Sequence, residues 1–166
     1  MLRCLACILS MLLSCIPVAA EDSMEYEALY FELLNRTAGP EYDAEFAQLP
    51  EAVQNLYLAA IFDMEIMNGG LVQYLVNCGP ESASQVSKSL CAIGLEPMAA
   101  LYDEFLATHE IDPGDLSGFK CKSVEDFTSL YKRYPESDDF DNTYVELWQA
   151  LDFNTAMLAY AEENLR

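Results

Sequence analysis

The chain has 166 residues, 52% of them hydrophobic, which suits one domain behind a short leader. It carries 28 acidic side chains against 8 lysines and arginines, a formal charge of −20. That sign is repelled by bare nucleic acid and by anionic membranes and attracts basic proteins or cations, although acidity also serves solubility alone.

Residues 1–20 have the make-up of a secretory signal. Met1-Leu2-Arg3 is a small basic start, Cys4 to Ile16 is almost wholly apolar, and Pro17-Val18-Ala19-Ala20 supplies small residues for cleavage after Ala20. The apolar run is too short to span a membrane. Cleavage removes Arg3 and no acid, so the exported chain, periplasmic or secreted, is more negative still. Leu12-Leu13-Ser14-Cys15 loosely resembles a bacterial lipoprotein box and offers an alternative, a lipid anchor at Cys15. Cys78, Cys91 and Cys121 remain after cleavage. The helix expected between Cys78 and Cys91 is roughly 20 Å long, whereas bridged Cα atoms lie about 4.4–6.8 Å apart. Any disulfide is therefore expected to use Cys121, with Cys78 the favoured partner; three buried thiols are the alternative.

Residues 21–44 read as an N-terminal helix and linker. Tyr26, Leu29, Tyr30, Leu33 and Leu34 give a helical stripe over 23–35, stopped by Thr37-Ala38-Gly39-Pro40, with a short helical turn over 42–48. The main domain covers 45–166. Pro50 starts a helix at its first position, and Val53, Leu56, Tyr57, Ala60, Ile61, Met64 and Met67 mark its buried face. Gly69-Gly70 ends it, and a short helix follows over 71–77. Helices are expected over 81–93, closed by a left-handed Gly94, and over 96–109. Residues 110–122 form a loop around Asp112-Pro113-Gly114. Ser123 and Asp126 make a capping box for a helix to about Arg133. Residues 136–139 read as a polar linker, and 142–164 as a helix broken near Asp152-Phe153-Asn154.

No segment sustains a two-residue alternation, so strands are not expected. The fold class is all-α: a compact orthogonal multi-helix domain behind an N-terminal signal peptide. Its expected core is Val53, Leu56, Tyr57, Ile61, Leu71, Leu75, Leu90, Ile93, Leu101, Phe105, Leu147, Leu151 and Leu158.

Catalytic chemistry is thinly represented. The adjacent acids Asp103/Glu104, Asp138/Asp139 and Glu162/Glu163 point about 100° apart on a helix and do not share a site by spacing. A hydrolase using a carboxylate pair brought together across helices remains an alternative. One histidine, His109, and three scattered cysteines give no zinc spacing. The oxygen-rich stretch 138–146 begins like a calcium loop, but counted from Asp139 the required glycine and final carboxylate are Tyr144 and Ala150. No catalytic residue, metal or cofactor is expected.

The most informative stretch is "EIMNGGLVQYLVN", residues 65–77. Gly69 can adopt positive φ without steric cost, and Gly70 lets a neighbour approach closely. Gln73 and Asn77, one turn apart, are expected to hydrogen-bond the backbone groups freed at the break. With Leu49-Pro50, "SLCAIGLEP" at 89–97 and "FDNTYVELWQAL" at 140–151, this stretch resembles the domain of the DNA-mimic-protein family. That family has an Asn-Gly-Gly-aromatic-x-Gln-Tyr-aromatic-x-Asn core. Asn68, Gly69, Gly70, Gln73, Tyr74 and Asn77 match; Leu71 and Leu75 replace the aromatics. The resemblance covers roughly 45–164 and implies an all-α, non-enzymatic fold in which these six residues are structural. It also implies, for the founding branch, acidic side chains that imitate duplex phosphates and occupy DNA-binding proteins. Mimicry is a property of surface pattern. Duplex DNA carries a charge per about 1.7 Å, so some twenty charges match roughly 36 Å of it if aligned in rows. Asp138, Asp139, Asp141 and Glu146 are the candidate acidic partner surface, for a basic protein bound by an exported domain; a homodimer would lengthen the row. Occupation of a DNA-binding protein through that acidic surface is the alternative, and requires a leaderless start such as Met24 or an exported target.

Overall fold

Leu49-Pro50 launches the first helix of the computed structural model, which describes residues 46–165. Pro50 lies just outside it as the cap residue, with φ −52° and ψ 141°, and its carbonyl receives the Val53 and Gln54 amides. The described elements are α1 (Glu51–Asn77), α2 (Pro80–Ile93), α3 (Glu96–Thr108), a 3-10 turn (Leu116–Phe119), α4 (Val124–Arg133), α5 (Ser137–Ala150) and α6 (Phe153–Asn164). Among the described residues there is no strand, so the fold is all-α as expected. The expected leader and the expected helix over 23–35 lie outside the described residues, as does the part of the expected 42–48 turn before Phe46.

α1 is the axis of the domain. It packs against α2, α5, α6 and the 3-10 turn, while α2 also packs on α3 and α3 on α5. Being touched on several sides explains a difference from the expected core. Val53, Leu56, Leu71, Leu75, Leu90, Ile93 and Phe105 are buried, but Leu101, Leu147, Leu151 and Leu158 are only half-buried at its rim. Tyr57 and Ile61 are half-buried too, Tyr57 lying against Phe46 at 5.4 Å between ring centroids. The centre instead is Phe62, which a single-stripe reading of α1 leaves out. Its ring meets Tyr74 at 4.7 Å, Tyr102 at 5.3 Å and Tyr144 at 5.6 Å, all edge to face. That geometry sets positive ring edges against negative faces. All four rings are at most 1% exposed.

The helix ends follow from local chemistry. Gly94 closes α2 at φ +89°, and the Leu95 amide returns to the Leu90 carbonyl. The Asp112 carboxylate accepts the Gly114 amide, and Asp115 accepts that of Ser117. This loop is better anchored than its composition indicates, because Leu116 and Phe119 are buried. Ser123 and Asp126 make the capping box of α4, a helix in which only Leu130 is buried. α5 begins at Ser137, so residues 137–139 are its first turn and not a linker. Acids there face the positive end of the helix dipole. The break before α6 falls at Leu151-Asp152; Asp152 takes φ +50° and caps α6 through Thr155. A polar bridge joins three helices inside: Ser89 donates to Asn55 Oδ1, and Asn55 Nδ2 donates to Tyr160. Cys78, Cys91 and Cys121 are free thiols, and Cys91, expected inside if unbridged, is exposed. Among the described residues no helix is long and apolar enough to cross a membrane.

Phe62→Ala removes the ring on which three tyrosines converge and is expected to cost about 3–5 kcal/mol in urea unfolding. Phe62→Leu keeps most of the volume and is expected to cost less.

Candidate functional site

The break in α1 is built from two different glycines. Gly69 has φ −162° and ψ 18°; Gly70 has φ +78° and ψ −179°, a backbone region open essentially to glycine alone. Gly70 is also crowded, since an added Cβ would sit on the Asp141 carboxylate. Two backbone groups lose their helical partners there, and neighbouring helices supply new ones. The Leu71 amide donates to Asp141 Oδ1 of α5 at 2.9 Å. The Tyr131 hydroxyl of α4 donates to the Gly69 carbonyl at 2.6 Å. Asp141 thus acts as an N-cap delivered from another helix.

Gln73 and Asn77 do not serve the freed backbone groups, contrary to expectation. Both reach back across the break to one buried carboxylate oxygen, Glu65 Oε2, at 2.9 and 2.8 Å. Two amide donors satisfy an acid that is only 7% exposed, and they brace the halves of α1 against each other. Tyr74 is a core ring whose hydroxyl makes no hydrogen bond, and burial pushes its pKa well up. Asn68, from the same motif, is exposed.

The four acids proposed as a partner surface divide. Asp138, Asp139 and Glu146 are exposed on α5. Asp141 is half-buried and engaged at the glycine break, so it is a structural acceptor and not part of an outward face. Burial pushes its pKa up to about 6, Asp138 adds to that, and the Leu71 amide opposes it. The adjacent pairs Asp103/Glu104 and Glu162/Glu163 are exposed as well. A cavity of about 210 Å³ lies between the end of α1 and the 3-10 turn, and Asp115 is the one carboxylate in its lining. Among the described residues no group of three or more His, Cys, Asp or Glu is arranged to hold a metal. His109 lies 4.3 Å from the Phe105 ring and 4.0 Å from Glu136 at the meeting of α3 and α5.

Three contributors were missed by the sequence reading: Tyr131, the inward role of Asp141, and Asp63, whose Oδ1 accepts from the Tyr144 hydroxyl at 3.0 Å. A signal existed for Asp141. It precedes Tyr144 by three residues and Trp148 by seven, which puts a carboxylate on the aromatic stripe of its helix. Nothing in the spacing marks Tyr131.

Gly70→Ala is expected to destabilise far more than Gly94→Ala. Both positions have positive φ, but a Cβ at Gly94 meets nothing within 4 Å, leaving a backbone cost of roughly 1–2 kcal/mol. At Gly70 displacement of Asp141 adds about 1–3 kcal/mol for a deprived amide; paired urea titrations measure the gap. For Asp141 itself the folded pKa is raised. Its contribution to stability is therefore full below 3.8 and lost as pH rises through about 6. Asp141→Asn keeps an acceptor for Leu71 and is expected to flatten that decline in denaturation curves taken across the interval.

No curated protein and no solved structure matches the chain. A family model described as DMP19-like protein matches residues 47–164, a span that contains the glycine break, the Glu65 brace and helices α2 to α6. Over most of its length, then, this chain is a member of the DMP19-like protein family, that of DNA mimic protein 19.

Proposed function

We propose that the domain is a non-enzymatic binder of a basic protein, which it engages as a stand-in for duplex DNA. The observation that carries this reading is the separation of charge. Residues 89–119 and 134–165 contain no lysine or arginine. They include α3 and α5, which pack together and expose Glu96, Asp103, Glu104, Asp138, Asp139 and Glu146. The described cations lie elsewhere: Lys88 pairs with Glu51 at 2.8 Å, and Lys120, Lys122, Lys132 and Arg133 lie in or beside α4. Exposed carboxylates on two packed helices that carry no lysine or arginine present a negative potential to a cationic DNA-binding groove. Membership of a DNA-mimic family supports the same reading.

The enzyme alternative finds less support. The adjacent acid pairs are exposed, and Glu65 is held by two amides. Export is part of the proposal through the leader-like residues 1–20. On that reading the partner is a basic protein of the exported compartment; an intact mass that retains residues 1–20 moves the search to cytosolic DNA-binding proteins.

Affinity capture with the full chain is expected to yield a basic protein whose retention falls steeply with salt. Combined Asp138→Asn, Asp139→Asn and Glu146→Gln substitutions are expected to weaken that association about tenfold or more at low ionic strength. Duplex DNA is expected to compete. A partner that ignores both salt and the three substitutions defeats the electrostatic reading, and one that binds DNA and this domain together defeats the mimicry.

A further inference from the structure

The seam between α1 and α5 holds one ionisable group that neither the glycine break nor the acidic face employs. Asp63, on α1, accepts the Tyr144 hydroxyl at 3.0 Å on Oδ1. Trp148, one turn further along α5, is close enough for its indole N–H to favour the ionised carboxylate. Yet Nε1 of Trp148 is buried and makes no hydrogen bond. An indole N–H is a donor only and normally finds a partner when buried. Around Asp63, then, one donor is engaged and one is waiting.

Among the described residues no cation is paired with that acid. Of the other titratable groups on helices packed against α1, Lys88 of α2 is held by Glu51, and Tyr160 of α6 accepts from Asn55. On α5, Asp141 is bonded to Leu71, and Asp138 lies beyond it, exposed. On α1, Glu65 is taken by Gln73 and Asn77. Asp115, before the 3-10 turn, caps Ser117.

We propose that Asp63 is a proton-operated clamp on α5: when protonated it keeps the Tyr144 hydroxyl on Oδ1 as its single donor, and release of the proton to solvent draws the Trp148 indole N–H onto its carboxylate, resetting the helix. Desolvation supports this by pushing the half-buried Asp63 up to about 7, with the Tyr144 hydroxyl pulling the other way. The sign follows. The stability that Asp63 contributes is full below 3.8 and is lost as pH rises through about 7, and capture of the indole offsets part of that loss. α5 carries Asp138, Asp139 and Glu146, so the clamp regulates partner engagement near neutral pH; that consequence rests on the function proposed above.

Trp148 is the sole tryptophan of the chain, so its fluorescence reads the seam directly. A titration of the full chain from about pH 5.5 to about pH 8.5 is expected to show a one-proton transition centred near 7. Asp63→Asn is expected to abolish it, and Glu163→Gln, at an exposed acid of α6, to leave it in place. Tyr144→Phe removes a donor to the ionised form and is expected to move the midpoint upward. A flat wild-type titration, or a transition that survives Asp63→Asn, overturns the clamp. Should the variants not fold, carboxyl-carbon NMR of the wild type decides: an aspartate titrating near 7 supports the proposal, and its absence overturns it. The partner reading fails separately, through the neutralised acidic face; a flat Trp148 signal beside charge-dependent partner binding removes the clamp alone.

Discussion

A helix that bends must find new partners for the backbone groups it uncovers, and in this domain that requirement organises the tertiary structure. Gly69 and Gly70 free a carbonyl and an amide in the middle of α1. The carbonyl is met by Tyr131 from α4 and the amide by Asp141 from α5. One local event thereby places two helices that follow it by some sixty and seventy residues. The converse also holds: Gly70 can have no side chain, because the carboxylate that rescues Leu71 occupies the space.

The acids of this protein do two kinds of work that composition does not separate. Glu65, Asp63 and Asp141 are turned toward the interior or its margin, each with a named donor. Such groups define geometry more than they add stability, since desolvation offsets much of what their hydrogen bonds gain. The exposed acids divide again: Asp112, Asp115, Asp126 and Asp152 hold turns and helix ends, and the others leave the surface strongly negative. An ordered carboxylate interior keeps α5 in place so that its outward carboxylates have a fixed pattern.

Much of the architecture was readable from local chemistry, where signals are short-range. Gly94, Ser123 with Asp126, Asp112-Pro113-Gly114 and the glycine pair all mark real ends or bends. What failed was long-range. Gln73 and Asn77 could be recognised as amides needing a partner, but their partner, Glu65, lies on the far side of a bend whose angle the sequence does not state. Phe62 escaped because α1 is enclosed on several sides, so a single apolar stripe under-reports its buried surface. Asp141 differs from its acidic neighbours through helical register, which turns it inward and which charge alone does not show. That Asp138, Asp139 and Glu146 are exposed while Asp141 is half-buried required the fold.

α4 is attached to the domain more lightly than any element beside it. Leu130 is its one buried side chain, Val124 is 76% exposed, and its longest-range tie is the Tyr131 hydroxyl on Gly69. Segments with so little interior surface are the first to open in native-state fluctuations. Each such excursion hands the Gly69 carbonyl to water, which can replace the lost phenol, while the Leu71 amide stays with Asp141. The bend is thus made of two latches of unequal lifetime, and amide exchange in α4 runs ahead of exchange at Leu71.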